Sequence, residues 1–92
     1  MPYIKKEDRF ALDGSIDQLV QAIKLNLTPP SQPGAVNYTF CRILLAMLGD
    51  HPNYVAYNTA IGILSAVDFE IKRRFLAPYE DTKITENGDI TG

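Results

Sequence analysis

The chain has 92 residues, of which 46% are hydrophobic and 22% are charged, and its formal net charge is −2. This length corresponds to one domain, and the composition is that of a globular rather than a disordered chain. Because the overall charge is slightly negative, it offers no electrostatic basis for nucleic-acid binding, and we expect no nucleic-acid partner.

The compartment follows from three features of the sequence. No apolar run approaches the ~20 residues that cross a bilayer, and the N-terminus lacks the apolar stretch of a signal peptide. Cys41 is the only cysteine, so an intramolecular disulfide is excluded and a reducing environment fits best. We therefore expect a cytoplasmic protein without a membrane partner.

The first predicted helix spans about residues 15–27 and follows an N-terminal arm, residues 1–14. Ser15, with Gln18 three residues later, has the form of a capping box. The apolar residues that follow have the spacing of a single helical face: Ile16, Leu19, Val20, Ile23 and Leu27. The pattern in the arm is weaker and predicts at most a short helical turn before Gly14.

Residues 28–35 are rich in proline, which removes backbone donors and restricts the residue before it. This stretch is predicted to be a connecting loop rather than a proline-rich recognition motif. The second helix is predicted over about residues 37–48, with Asn37 as its N-cap and Gly49 just beyond its end. This helix is apolar on all sides, and two neighbouring helices can hardly cover so much apolar surface. The pattern therefore favours self-association.

A third and longer helix is predicted over about residues 54–77, with Asn53 as its N-cap and Pro78 as the residue that stops it. Its two apolar stripes are wider than one partner helix needs: Tyr57, Ala60, Ile61, Leu64, Val67, Ile71 and Phe75, then Ile63, Ala66, Phe69 and Leu76. Gly62 and Ser65 are small enough for another backbone to approach closely. Its polar edge carries two acid-to-base pairs at the i, i+4 spacing, Asp68–Lys72 and Glu70–Arg74.

Residues 78–92 are predicted to be a polar tail. Asn87-Gly88 is a strong turn signal, so the segments on either side of it would form a short hairpin if they docked on the body or on another subunit. The predicted fold class is all-α: a small bundle of three main helices, about 15–27, 37–48 and 54–77, with a C-terminal tail or short hairpin around Asn87-Gly88. All 92 residues form one helical domain.

The residue sets of common catalytic and metal sites are missing from the sequence. His51 is the only histidine and Cys41 the only cysteine, so there is no zinc ligand set. Cys41 lies in an apolar helix and is predicted to be a buried hydrophobic residue rather than a nucleophile activated by His51. The glycines lack the spacing of a phosphate-binding loop, and Glu86–Asp89 lacks the closing glutamate of a calcium loop. We predict no enzymatic activity, no metal and no cofactor.

One cluster near the end of the third helix is a candidate binding site. It combines three cations and an aromatic ring in one short stretch: Arg73, Arg74, Tyr79 and Lys83. Arginine binds phosphate or carboxylate through two parallel hydrogen bonds, and a tyrosine ring can stack on a planar group. These residues predict a site for a small anionic ligand. In the alternative interpretation the arginines bond acids of the tail and hold it on the helix: Glu80, Asp81 or Asp89. An oligomer could combine both arrangements.

A set of short motifs, in a fixed order, extends over nearly the whole chain: Met1-Pro-Tyr-Ile4, Asn37-Tyr38, Arg42-Ile43, Asn58, Ala60-Ile-Gly62, Leu64, Glu70, Arg73-Arg74, Ala77-Pro-Tyr-Glu-Asp81, Lys83-Ile84 and Glu86-Asn-Gly-Asp89. Together they resemble a family of uncharacterised small proteins found widely in tailed-phage and bacterial genomes. The proline-rich loop is longer than in the family pattern, and Phe75-Leu76 replaces valines, but neither change touches a polar motif position.

This resemblance implies a biological context rather than a mechanism, since no activity is attached to the family. Small oligomeric phage proteins that are not enzymes often act by binding a nucleotide signal, a host protein or a phage particle. We therefore expect a homo-oligomeric, phage-type accessory protein that sequesters a small anionic, nucleotide-like ligand in an anti-defence role. The alternative is an adaptor or inhibitor that docks a host or phage protein through an exposed helix face.

Overall fold

The computed structural model describes residues 4–92, and every regular element among them is helical. The all-α class predicted from the sequence is confirmed. The elements in chain order are α1 (Lys6–Asn26), a 3-10 turn (Pro29–Ser31), α2 (Gln32–Leu48), α3 (Tyr54–Ile71), a π-helical turn (Lys72–Leu76) and α4 (Ala77–Asn87). Of the family-like Met1-Pro-Tyr-Ile4 motif, all but Ile4 lies outside the described residues.

The helices divide into two compact units, one ending at Tyr57 and the other beginning at Asn58. In the first unit α1 and α2 are joined by the 3-10 turn and contact each other. The second unit contains the rest of α3, the π turn and α4, which follow one another without a break in the helix.

Helix α1 begins at Lys6, so most of the predicted N-terminal arm is helical and Ser15 lies inside the helix instead of capping it. The acidic residues Glu7 and Asp8 lie in the first turn, where they interact favourably with the positive end of the helix dipole. Leu12 lies one turn before Ile16, so the apolar stripe continues through Gly14. Glycine lowers helix stability by only about 1 kcal/mol, which this continuous stripe can offset.

The proline-rich stretch is not entirely a loop. Its first prolines form the 3-10 turn, and α2 begins at Gln32, with Pro33 in its first turn. Proline is tolerated there because the first backbone N–H groups of a helix have no partner within it. Asn37 therefore lies within α2, and its Oδ1 accepts a hydrogen bond from Cys41 Sγ at 3.5 Å instead of capping the helix.

Two of the predicted helix ends, those at Gly49 and Asn53, are confirmed. Helix α2 ends at Leu48, and the N–H of Gly49 donates to the Leu45 carbonyl oxygen at 3.3 Å. Gly49 has a φ of +75°, a conformation that other L-residues rarely adopt. At the start of α3, Asn53 Oδ1 accepts a hydrogen bond from the Ala56 N–H at 2.9 Å, as an N-cap does.

Replacing Gly49 tests the importance of this helix end. Gly49→Ala is expected to lower the free energy of unfolding by about 1–2 kcal/mol, because a Cβ is unfavourable in left-handed backbone. The thermal midpoint, measured by calorimetry, would fall accordingly. The control is Gly34→Ala within α2, where a Cβ has no neighbour within 4 Å and the midpoint should rise. Equal effects of the two substitutions would contradict the assignment.

The prediction that Pro78 stops the third helix is wrong. Proline lacks an N–H, and its ring clashes with the carbonyl four residues earlier. The π turn resolves this conflict, since the Ala77 N–H donates to the Lys72 carbonyl five residues before it and Pro78 then lies in the first turn of α4. The tail therefore continues as helix to Asn87 and does not fold back onto Arg73 and Arg74.

The predicted hairpin around Asn87-Gly88 is likewise not formed. Gly88 has a φ of +91°, and its N–H donates to the Ile84 carbonyl oxygen at 2.8 Å, which ends α4. A glycine with positive φ serves the C-terminus of a helix as well as a hairpin turn. The turn signal was thus correct about the backbone conformation and wrong about the element that it ends.

Burial of side chains is slight throughout the described part of the chain. Among residues 4–92 only Ala60, at 6% exposed, is buried. Large apolar side chains are widely accessible, including Phe10 on α1 and Ile61 on α3. Cys41 is exposed as well, so its predicted burial is wrong. Within residues 4–92 no helix has the length and apolar character needed to cross a membrane.

Candidate functional site

The four predicted site residues lie in the second unit. Arg73 and Arg74 belong to the π turn, and Tyr79 and Lys83 belong to α4. Turns of this type are rare inside helices and often occur at functional positions. Both arginine side chains are about half exposed, at 55% and 50%, so a ligand can reach them.

The two arginines share one carboxylate. Arg73 Nη2 lies 3.1 Å from Glu70 Oε1 and 3.4 Å from Oε2, and Arg74 Nη1 lies 3.9 Å from Oε2. The Glu70 side chain is only 17% exposed. The predicted Glu70–Arg74 pair is therefore present, together with an Arg73 pair that the sequence analysis did not include. Both guanidinium groups thus pair with the same acid.

Aromatic rings flank the arginines. The guanidinium carbon of Arg73 lies 6.0 Å from the centre of the Phe69 ring, and that of Arg74 lies 5.5 Å from the centre of the Phe75 ring. Such contacts stabilise by about 0.5–1 kcal/mol at exposed sites and hold the guanidinium plane near an apolar face. Sequence reasoning missed both phenylalanines, although the four-residue spacing of Phe69 and Arg73 is a usable signal.

Tyr79 and Lys83 form a second group. Lys83 Nζ lies 5.5 Å from the centre of the Tyr79 ring and 3.1 Å from Glu86 Oε2. Lys83 also lines a shallow recess of about 360 Å³ at the end of α4, together with Glu80, Ile84 and residues 87–90. The ammonium group thus lies between an aromatic face, a carboxylate and an open recess.

The structure thus places the four predicted residues in two groups. Arg73 and Arg74 are held together by Glu70, whereas Tyr79 and Lys83 contact each other further along the helix. Lys83 follows Arg73 by ten residues, which corresponds to about 15 Å along a helix axis. The nearest members of the two groups, Arg74 and Tyr79, are five residues apart, about 7.5 Å along the axis. A small anion that touches all four side chains must therefore be extended or bridge two subunits. The ion pairs found for both arginines are local, because Glu70 precedes them by three and four residues.

The shared carboxylate makes a testable contribution to stability. Glu70→Gln is expected to lower the free energy of unfolding by about 0.5–1 kcal/mol, because it weakens two ion pairs of a partly buried acid. The control is Asp68→Asn, which breaks the exposed 3.1 Å pair with Lys72 and should cost only a few tenths of a kcal/mol. Urea unfolding at low and high salt measures the loss of stability for both variants. Equal losses for Glu70→Gln and Asp68→Asn would contradict the central position of Glu70.

Within residues 4–92 no group of three or more histidine, cysteine, aspartate and glutamate side chains lies close enough together to hold a metal ion. The fold and the cluster define a small all-α protein whose candidate site is an exposed surface of one helix, held in place by local ion pairs. The chain belongs to the family described as a domain of unknown function, DUF6899, whose sequence model matches residues 1–90. This confirms the predicted membership of an uncharacterised family. No curated protein and no solved structure shows significant similarity to the chain.

Proposed function

We propose that the protein is a homo-oligomeric, non-enzymatic accessory protein of phage type that acts by binding in the host cytoplasm. The observation that carries this proposal is the amount of accessible surface. The chain exposes 8037 Å², whereas folded monomers of its mass, 10.3 kDa, expose about 5,400 Å². The excess of roughly 2,600 Å² is at or above the area that each chain of an obligate oligomer covers.

The second unit supports this proposal most directly. From Asn58 to Asn87 it is one uninterrupted helix, and a single helix cannot bury its own apolar side chains. Ile61, Phe69 and Phe75 are each about 60% exposed. The composition of this helix is that of an interior element, because apolar residues lie on more than one side.

The bound molecule that we propose is a small anionic, nucleotide-like ligand, sequestered in an anti-defence role. Arg73 and Arg74 supply half-exposed guanidinium groups, and Tyr79 supplies a ring beside the Lys83 ammonium. Since Arg73 and Lys83 lie about 15 Å apart along one helix, we place the ligand between subunits. There the arginines of one copy would complete a site with the tyrosine and lysine of another.

A second candidate is an adaptor or inhibitor that docks a host or phage protein. It is favoured by α1, where Phe10 is 79% and Leu25 is 78% exposed. Exposed large apolar side chains are the usual anchors of protein interfaces. In this case the cation cluster has only a structural role and the exposed α1 surface does the binding.

Native mass spectrometry of protein purified from infected cells tests both candidates. We expect a mass that is a multiple of 10.3 kDa plus a retained small molecule, which is lost when Arg73 and Arg74 are both changed to alanine. Lys72→Ala, which removes a neighbouring cation paired with Asp68, is the matched control and should keep the ligand. A monomeric mass would contradict the proposal. A multimer without a ligand, which captures a second protein through Phe10, would favour the adaptor.

A further inference from the structure

The segment from Asn58 to Val67, here called the uncharged segment, contains no ionisable side chain. All charged residues of the second unit's helix follow it, from Asp68 onward. Its large apolar side chains are nevertheless accessible, and their exposure lies between 40% and 61%: Ile61, Ile63, Leu64 and Val67. A solvent-facing helix surface normally carries charges, so this segment has the composition of a covered one.

Gly62 lies in the middle of this segment and is not required by the chain itself. Its φ is not positive, so the backbone does not need glycine there. A Cβ at this position would have no neighbour within 4 Å, so packing within the chain does not need it either. Glycine destabilises a helix interior relative to alanine. Gly14 has equally open surroundings but lies between Asp13 and Asp17, on a charged part of α1, whereas Gly62 lies in an uncharged and apolar surface. At Gly62 the two features together indicate close approach of something outside the chain. Ser65, three residues later on the same side of the helix, is also small.

We infer that the uncharged segment is the surface through which two copies of the chain pack helix against helix, with the backbones closest at Gly62 and Ser65. This rests on the proposed homo-oligomer and identifies its interface. A stable pair covers about 800 Å² on each chain, which is about a third of the excess of roughly 2,600 Å² that the chain exposes as a whole. Interfaces between identical subunits are also more apolar and poorer in charge than other protein interfaces.

The occupant is a second copy because the cover is needed for folding itself. With Ala60 as the one buried residue among residues 4–92, a chain alone has little core to hold it together. A partner that must be present whenever the chain folds is most simply the same chain. A two-fold arrangement would bring the same surface of both copies together, which a self-complementary stripe of small residues allows.

Alanine substitutions at two glycines test this inference by the sign of their effects. Gly14 also lies in a helix interior, in α1, and a Cβ there has no neighbour within 4 Å. Gly14→Ala is expected to raise the thermal midpoint. Gly62→Ala is expected to lower it and to weaken association at least tenfold, measured by sedimentation velocity over a dilution series. An increased midpoint with unchanged association for Gly62→Ala would overturn the inference.

Cross-linking supplies a second measurement that does not depend on stability. In a Cys41→Ser background, Ser65→Cys is expected to give a disulfide-linked dimer under mild oxidation, whereas Gln18→Cys on the exposed surface of α1 is not. If the native mass is multimeric but Ser65→Cys remains uncross-linked, this interface is wrong and the proposed function stands. If the native mass is that of one chain, both fail. A cross-link to a different protein would overturn the assignment to a second copy.

Discussion

The thermal midpoint of the protein is expected to rise by about 3–6 °C for each tenfold increase in protein concentration. The reason is that unfolding of an obligate oligomer also separates its subunits, and dilution favours separation. A tenfold dilution changes the free energy by about 1.4 kcal/mol per association step. The unfolding entropy of a chain of 92 residues then converts this change into a shift of the stated size, at about 2.1 cal/mol/K per residue.

Scanning calorimetry over about a hundredfold range of concentration measures this dependence. The Gly14→Ala variant is the control. A change inside one helix should shift the midpoint by the same amount at every concentration, so the dependence of the midpoint on concentration should stay the same. A midpoint that stays constant over the whole range would exclude self-association as the source of stability. The large accessible surface would then need another explanation.

The largest effect of a single substitution is expected for Leu64→Glu. Leu64 lies in the uncharged segment and is 42% exposed in the chain. At an interface between copies, the substitution removes about 1.5–3 kcal/mol of apolar burial and adds several kcal/mol for desolvating a charge. Total stabilities are only about 5–15 kcal/mol, so we expect dissociation and loss of most of the helical circular dichroism at micromolar concentration.

The matched control for this experiment is Gln18→Glu, which introduces the same side chain on the exposed surface of α1. It should change stability by no more than about 0.5 kcal/mol, as surface substitutions usually do. Sedimentation velocity and circular dichroism on both variants separate dissociation from unfolding. If Leu64→Glu behaves like Gln18→Glu, the uncharged segment is a solvent-facing surface and the interface lies elsewhere.

The sequence predicted best those features that depend on neighbouring residues. Asn53 caps α3 and Gly49 ends α2 as expected, because a cap is a contact between residues three or four positions apart. The Asp68–Lys72 and Glu70–Arg74 pairs are present for the same reason. The sequence therefore predicted the Glu70–Arg74 pair of the cluster around Glu70. It did not predict the Glu70–Arg73 pair or the contacts of the arginines with Phe69 and Phe75.

The errors came from residues whose local preference has more than one structural solution. The predicted N-caps Ser15 and Asn37 lie inside helices, because an apolar stripe continues α1 through Gly14 and a first-turn position accommodates Pro33 in α2. Pro78 does not end the third helix, because the π turn gives its ring room. Gly88 adopts the positive φ that was predicted for it, at the end of a helix and not in a hairpin.

The sequence by itself determined the all-α class, the helix ends at Gly49 and Asn53 and the acid–base pairs, since each arises from contacts within one or two helical turns. Only the three-dimensional structure decided that the third helix passes Pro78 and that the charged tail is its continuation. It also separated the Arg73–Arg74 pair from the Tyr79–Lys83 pair. These outcomes depend on how a whole segment satisfies its backbone hydrogen bonds, because this sets the positions of its side chains. The spacing of residues along the chain does not determine those positions.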